Sequence, residues 1–113
     1  MKLIITPAGG GRSTELIKRS AETGTYIVVS THSRALVLAD MAREMGLSIP
    51  FPITWNEVYK MQRNSDFSRL KSVYVDDIDD LLNTIFSGVR VELATMQAPK
   101  QFSISLSDGL REA

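Results

Sequence analysis

Short apolar runs alternate with helix-forming segments along most of this chain of 113 residues. The runs at 2–6, 25–30, 72–76 and 89–95 are rich in Val, Ile and Leu, and the segments between them carry helical patterns. Apolar strands separated by helices are typical of a parallel sheet that is covered on both faces. The alternation therefore predicts an α/β fold with three layers and a mainly parallel sheet of about five strands.

The segments between the strands predict four helices. The first covers 13–21 and is broken at Gly24, and the second begins after Thr31 or Ser33 as its cap. A capping box at Thr54 and Glu57 predicts a short helix from 55 to 61 or 62. The fourth is expected over 77–86, with the apolar residues Leu81, Leu82, Ile85 and Phe86 facing inward.

The remaining segments are expected at the edges of the fold. Two prolines limit 49–53 to an edge or a short strand, and 63–71 reads as a surface loop. Residues 102–106 suit a last edge strand, followed by a tail. We therefore expect one domain over 1–113, with its core at about 2–96 and an edge strand and tail at 97–113.

The overall composition excludes several classes of protein. The 13 basic and 13 acidic side chains cancel, so no global field attracts nucleic acid or membranes. The chain has no cysteine, which excludes disulfides and thiolate metal sites. Because no apolar segment is long enough to cross a bilayer, we expect a cytoplasmic protein without membrane contact.

A glycine-rich stretch joins the 2–6 strand to the first helix. Glycines in such a loop let backbone N–H groups converge on one point, and the helix N-terminus adds a positive dipole end. A polyphosphate suits this arrangement, and the Ser13 hydroxyl is placed to bind a Mg²⁺ that also contacts the phosphates. The alternative is a glycine-rich turn without a ligand. The predicted phosphate-binding residues are Pro7, Ala8, Gly9, Gly10, Gly11, Arg12, Ser13 and Thr14.

Two carboxylates end the 72–76 strand, at the edge of the sheet where open α/β folds bind ligands. Asp76 is a candidate Mg²⁺ ligand, and Asp77 is a candidate base that orients and deprotonates water. The alternative is that Asp76 or Asp77 caps the following helix. Asp79 and Asp80 are better explained as acidic residues that complement the helix dipole.

Other polar and aromatic residues give weaker signals. Thr95, at the end of the 89–95 strand, is a candidate sensor of a γ-phosphate. His32 is expected to be solvent-exposed. Trp55 is expected to anchor the short helix, although with Tyr59 it is also placed to stack on a base. The basic residues near 60–71 favour a solvated loop over a nucleic-acid surface.

Taken in order, these motifs resemble those of the P-loop NTPases, within the branch that holds helicases and the RecA-like and AAA-like ATPases. Residues 7–13 resemble the Walker A form P-x-G-x-G-K-[ST], with Arg12 in place of the lysine, and 73–77 resemble Walker B. The resemblance implies a P-loop NTPase-like fold that binds ATP or GTP with Mg²⁺, held by Ser13 and Asp76. It also implies catalytic roles for Arg12, Asp77 and Thr95. The chain also looks like small P-loop proteins of phages and prophages.

The resemblance leads to two functional hypotheses. The first is a nucleotide-binding protein with weak or partner-dependent hydrolysis, in which another subunit or a protein partner supplies an arginine finger. The second is a non-catalytic P-loop protein that acts through protein or nucleic-acid contacts, such as a phage accessory or anti-defence factor. The order of the motifs also predicts that the 2–6 strand lies beside 89–95, with 72–76 next and 25–30 outside it.

Overall fold

The computed structural model describes residues 1–7, 9–64 and 70–97. Four helices and three short strands alternate in this part of the chain. In chain order they are α1 (Arg12–Thr23), β1 (Ile27–Val29), α2 (His32–Glu44), β2 (Ile53–Thr54), α3 (Trp55–Arg63), β3 (Tyr74–Val75) and α4 (Ile78–Ile85). None of the described helices is both long and apolar enough to pass through a bilayer.

The three strands form one parallel sheet in the order β2-β1-β3. Val28 of β1 is opposite Ile53 of β2, and Ile27 is opposite Tyr74 of β3. The pairing of the 25–30 and 72–76 segments is therefore as predicted. Of the 49–53 segment only Ile53 joins the sheet, in the two-residue edge strand Ile53–Thr54, which agrees with the short edge strand that the prolines predict.

The predicted P-loop NTPase-like fold with a sheet of about five strands is wrong, because the described residues contain only three. Neither 2–6 nor 89–95 forms a strand, so the two strands predicted on the side of 72–76 away from 25–30 do not join the sheet. Residues 89–97 are exposed along their whole length, and Leu93 keeps 88% of its surface accessible. An extended segment that buries no side chains lacks the packing that stabilises strand pairing. The predicted strand at 102–106 lies outside the described residues.

The core lies on both faces of β1, because successive strand residues point to opposite sides of the sheet. On one face, Ile27 and Val29 pack with residues of α1 and α2, including Ile17 and Leu38, which are fully buried. On the other face, Val28 packs with Ile53 of β2 and Leu81 of α4. This arrangement is an α/β fold with helices on both faces of a small parallel sheet.

Local signals located most helix ends correctly. Gly24 ends α1 in the left-handed conformation, and Thr31 caps α2 by accepting a hydrogen bond from the Arg34 N–H. Thr54 and Glu57 form the predicted capping box of α3, which extends to Arg63.

The predicted inner face of α4 is only partly correct. Leu81 is buried, but Ile85 keeps 37% and Phe86 50% of its surface exposed. Both were expected to face inward against a wider sheet. Because the described sheet ends at β3, no strand covers this end of α4.

Candidate functional site

The glycine-rich loop turns directly into the start of α1. Gly9 and Gly11 have φ angles of 78° and 80°, in the left-handed region that favours glycine. Gly11 is the N-cap and has no side chain to accept hydrogen bonds from the first turn. The N–H groups of Arg12, Ser13 and Thr14 have no acceptor within the helix, because the first turn never provides one. They therefore lie at the positive end of the helix dipole, where an anion is favoured.

Gly10 is required at its position by a close approach within the loop. A Cβ atom there would lie 2.4 Å from Thr6 Oγ1 and 2.5 Å from Thr6 Cβ. The Gly10 N–H also donates to the Pro7 carbonyl oxygen at 3.1 Å, which closes a tight turn. Of the predicted phosphate-binding residues, Ala8 lies outside the described part of the chain. The loop thus has a defined shape that depends on glycine at position 10.

Arg12 points back into the loop. Its Nη1 donates to the Thr6 carbonyl oxygen at 3.0 Å, to Thr6 Oγ1 at 2.9 Å and to the Pro7 carbonyl oxygen at 3.2 Å. A Walker A lysine at this position would be expected to extend toward phosphate instead. Arg12 therefore ties the start of α1 to the segment that precedes the loop.

Ser13 and Asp76 meet at the carboxyl edge of the sheet. Asp76 follows β3, and its backbone N–H donates to the Val28 carbonyl oxygen of β1 at 3.0 Å, which fixes its position. The Ser13 hydroxyl donates to Asp76 Oδ1 at 2.9 Å. Asp76 is almost completely buried, with 4% of its surface exposed. The two residues predicted to hold Mg²⁺ are therefore in direct contact.

Arg34, in the first turn of α2, completes this cluster. Its Nε donates to Asp76 Oδ2 at 2.9 Å, and its Nη2 donates to Ser13 Oγ at 2.7 Å. Both carboxylate oxygens of Asp76 are thus engaged, one by a hydroxyl and one by a guanidinium. Ser13, Arg34 and Asp76 form a closed ring of three hydrogen bonds, which we call the Ser-Arg-Asp ring. Arg34 also lines the open groove that contains residues 9–14.

The donor set of Ser13 and Asp76 fits Mg²⁺ in its chemistry and spacing. Mg²⁺ prefers oxygen ligands at about 2.0–2.1 Å in octahedral geometry, so neighbouring ligand oxygens lie about 2.9 Å apart. Ser13 Oγ and Asp76 Oδ1 are separated by 2.9 Å. The described residues contain no cluster of three or more His, Asp or Glu side chains suited to a metal. A metal here would take its remaining ligands from phosphates and water, which is common for Mg²⁺.

Asp77 caps α4. Its carboxylate accepts a hydrogen bond from the Asp80 N–H at 3.3 Å, as the alternative interpretation of this residue anticipated. Its φ of 55° lies in the left-handed region, where a side chain other than glycine is strained. Asp77 is exposed next to the Ser-Arg-Asp ring, and its role as a base stays a prediction.

Thr95 lies in the exposed 89–97 segment, and its role as a sensor of the γ-phosphate stays a prediction. Asp80 was interpreted as a dipole partner only, but its Oδ2 accepts a hydrogen bond from the buried Ser30 hydroxyl at 2.5 Å. Asp80 therefore links α4 to the end of β1.

Of the other weak signals, the expected exposure of His32 is confirmed, whereas the anchoring role of Trp55 stays a prediction. His32 is exposed and lies beside Phe51, with the ring centroids 6.1 Å apart. Trp55 is 39% exposed at the first turn of α3. Tyr59 accepts a hydrogen bond from Arg63 Nη1 at 2.8 Å on the same helix. These contacts are local to the outer elements of the fold.

The sequence reasoning missed Arg34, although one signal pointed to it. A cation in the first turn of a helix opposes the helix dipole, so its presence there calls for a local partner. Thr31 places Arg34 at the carboxyl end of β1, and Asp76 lies at the same end of the neighbouring β3. A buried carboxylate on the adjacent strand is the partner that this reasoning would have identified.

Comparison of the chain with protein-family models, curated proteins and solved structures finds no match.

Proposed function

We propose that this protein binds the polyphosphate of ATP or GTP at the 9–14 loop, with Mg²⁺ between Ser13 and Asp76. The observation that supports this best is the contact between Ser13 Oγ and Asp76 Oδ1 at 2.9 Å, beside the free N–H groups of the first turn of α1. A hydroxyl and a carboxylate beside a helix N-terminus, where anions are favoured, provide ligands for a metal that also contacts phosphate.

Different groups of this chain would bind the phosphates and the metal. The N–H groups of the 12–14 turn donate to phosphate oxygens, and Asp76 carries the negative charge that attracts the metal. Bound Mg²⁺ would neutralise charge on the phosphates. Asp77, exposed beside Asp76, is the residue we propose as the base that orients water.

Hydrolysis is proposed to be weak or dependent on a partner. Arg12 lines the groove, but its Nη1 is engaged with the backbone and side chain of Thr6 and with the Pro7 carbonyl oxygen, so this nitrogen is not free to contact phosphate. An arginine finger from a second copy of the chain or from a protein partner would supply the missing positive charge. We propose that the protein acts in the cytoplasm. The same contacts of Arg12 favour the second candidate, a non-catalytic P-loop protein that acts by binding protein or nucleic acid.

A calorimetric titration with ATP and with GTP, with and without Mg²⁺, tests the proposal. We expect Mg²⁺ to strengthen nucleotide binding by the wild-type protein, and Asp76→Ala to remove that strengthening. Asp79→Ala is the matched control, because it removes an exposed carboxylate three residues away. If no nucleotide binds under either condition, the second candidate function is favoured. If Asp76→Ala leaves the Mg²⁺ effect unchanged, Asp76 has only a structural role.

A further inference from the structure

We propose that Arg34 is an internal cation that occupies the metal position of the free site and makes metal binding depend on nucleotide. The inference rests on the proposed function and adds a mode of regulation to the same site. Its basis is the Ser-Arg-Asp ring, in which the Arg34 guanidinium contacts both residues predicted to bind Mg²⁺, at Ser13 Oγ and at Asp76 Oδ2.

The buried charge of Asp76 explains why a cation is needed there. Its side chain is 4% exposed and forms an ion pair with Arg34 at 2.9 Å. An ionised carboxylate that is buried without a partner is strongly unfavourable. Arg34 therefore neutralises Asp76 when the site holds neither metal nor nucleotide.

The exposure of Arg34 makes it the partner that moves. Its side chain is 37% exposed, whereas Asp76 is held by the backbone hydrogen bond to Val28. Arg34 is one of the residues that line the groove of residues 9–14. A phosphate bound in this groove would therefore lie near Arg34. A guanidinium pairs with phosphate through two parallel hydrogen bonds. These bonds would replace the hydrogen bond that Arg34 donates to Asp76.

This exchange couples the two ligands. A divalent metal alone must displace Arg34 and leave the guanidinium without its carboxylate, so metal binding is weak. With nucleotide present, the Arg34 guanidinium pairs with phosphate instead of Asp76. The metal then binds to Ser13 and Asp76 at the position that the guanidinium has left. Because coupling between two ligands is reciprocal, nucleotide strengthens metal binding by the same factor as metal strengthens nucleotide binding.

Mn²⁺ binding, measured by electron paramagnetic resonance without nucleotide, tests the inference directly. We expect Arg34→Gln to bind Mn²⁺ at least about tenfold more tightly than the wild type, a change of about 1.4 kcal/mol. Adding Asp76→Asn to that variant should abolish the gain. Arg43→Gln is the matched control, because it removes the same charge near the end of the same helix, away from the ring.

A second measurement separates the inference from the proposed function. With ATP present, Mn²⁺ binding by the wild type should strengthen at least about tenfold, and Arg34→Gln should reduce that factor. If no nucleotide binds to any variant, the proposed function fails, but the nucleotide-free arm still decides whether Arg34 occupies the metal position. Equal Mn²⁺ affinity of the wild type and Arg34→Gln would overturn the inference.

Thermal unfolding provides a control for folding. Arg34→Gln leaves Asp76 without its ion pair, so we expect a lower melting temperature that Mn²⁺ raises more than in the wild type. If that variant does not fold, Arg34→Lys replaces it. Lysine keeps the charge but lacks the fork that bridges Asp76 and Ser13, so it should bind Mn²⁺ more tightly than the wild type does. No gain with Arg34→Lys would then overturn the inference.

Discussion

Ser13 and Asp76 are 63 residues apart in the chain, and the Ser13 hydroxyl donates to Asp76 Oδ1 at 2.9 Å. The contact joins the first turn of α1 to the end of β3. It brings a hydroxyl, a buried carboxylate and the glycine-rich loop to one edge of the sheet.

Gly10→Ala should disrupt the loop and weaken nucleotide binding by at least about tenfold. The added Cβ would overlap Thr6, whose Oγ1 lies 2.4 Å from its ideal position, so the loop must shift. Overpacking of this kind destabilises by roughly 1–3 kcal/mol. Calorimetric titration with ATP and urea denaturation would measure both effects.

Gly24→Ala is the matched control for Gly10→Ala. Gly24 also lies next to α1, but its φ is 73° and a Cβ there meets no atom within 4 Å. The substitution should destabilise by about 1–2 kcal/mol through left-handed backbone strain, without changing nucleotide affinity. A similar loss of affinity in both variants would mean that the shape of the loop does not determine binding.

Arg12→Lys should raise nucleotide hydrolysis by about tenfold or more, which corresponds to roughly 1.4 kcal/mol off the barrier. Arg12 Nη1 forms three hydrogen bonds to Thr6 and Pro7, and the shorter lysine side chain would not place its ammonium at the position of Nη1. Lysine at this position is therefore freer to reach phosphate. Steady-state phosphate release by the two proteins is the measurement.

The control for Arg12→Lys is Asp77→Asn in the lysine background, which should remove the gain if Asp77 is the base. A gain that persists with Asp77→Asn would contradict the proposed role of Asp77. No gain, together with no nucleotide binding by either protein, would favour the interaction protein.

Asp80→Ala should destabilise the fold by about 1–2 kcal/mol, because it leaves the buried Ser30 hydroxyl without its acceptor. Asp79→Ala, at the neighbouring exposed position, should change the free energy of unfolding by less than about 0.5 kcal/mol. Urea denaturation of the two variants compares them directly. Equal effects would show that both residues act only on the helix dipole.

Thr54→Ala should lower the free energy of unfolding by about 1 kcal/mol, because it removes the N-cap of α3. Thr54→Ser keeps the hydroxyl and should restore most of that stability. Nucleotide binding should be the same in all three proteins, since α3 does not line the groove of residues 9–14. Thermal denaturation would measure the stabilities, and a destabilised serine variant would argue against the cap.

The sequence by itself determined the elements whose causes are local. Thr31, Gly24 and the Thr54–Glu57 pair act on backbone groups within a few residues, so the ends of three helices could be read directly. Apolar continuity identified the 25–30 and 72–76 segments, whose strands pair in parallel. The sequence also predicted that Ser13 and Asp76 share one edge of the sheet, and the two side chains meet there although 2–6 forms no strand.

Only the tertiary structure decided which partners those side chains have. Both the continuous apolar run of β1 and the more alternating run at 89–95 predict strands, but only β1 is buried on both faces, because burial depends on what packs against a segment. Arg34 reaches a carboxylate 42 residues away, while Arg12 turns to its own loop. A guanidinium carries the same charge in either setting. The fold determines which partner lies within hydrogen-bond distance of each guanidinium. The spacing of residues along the sequence does not show these distances.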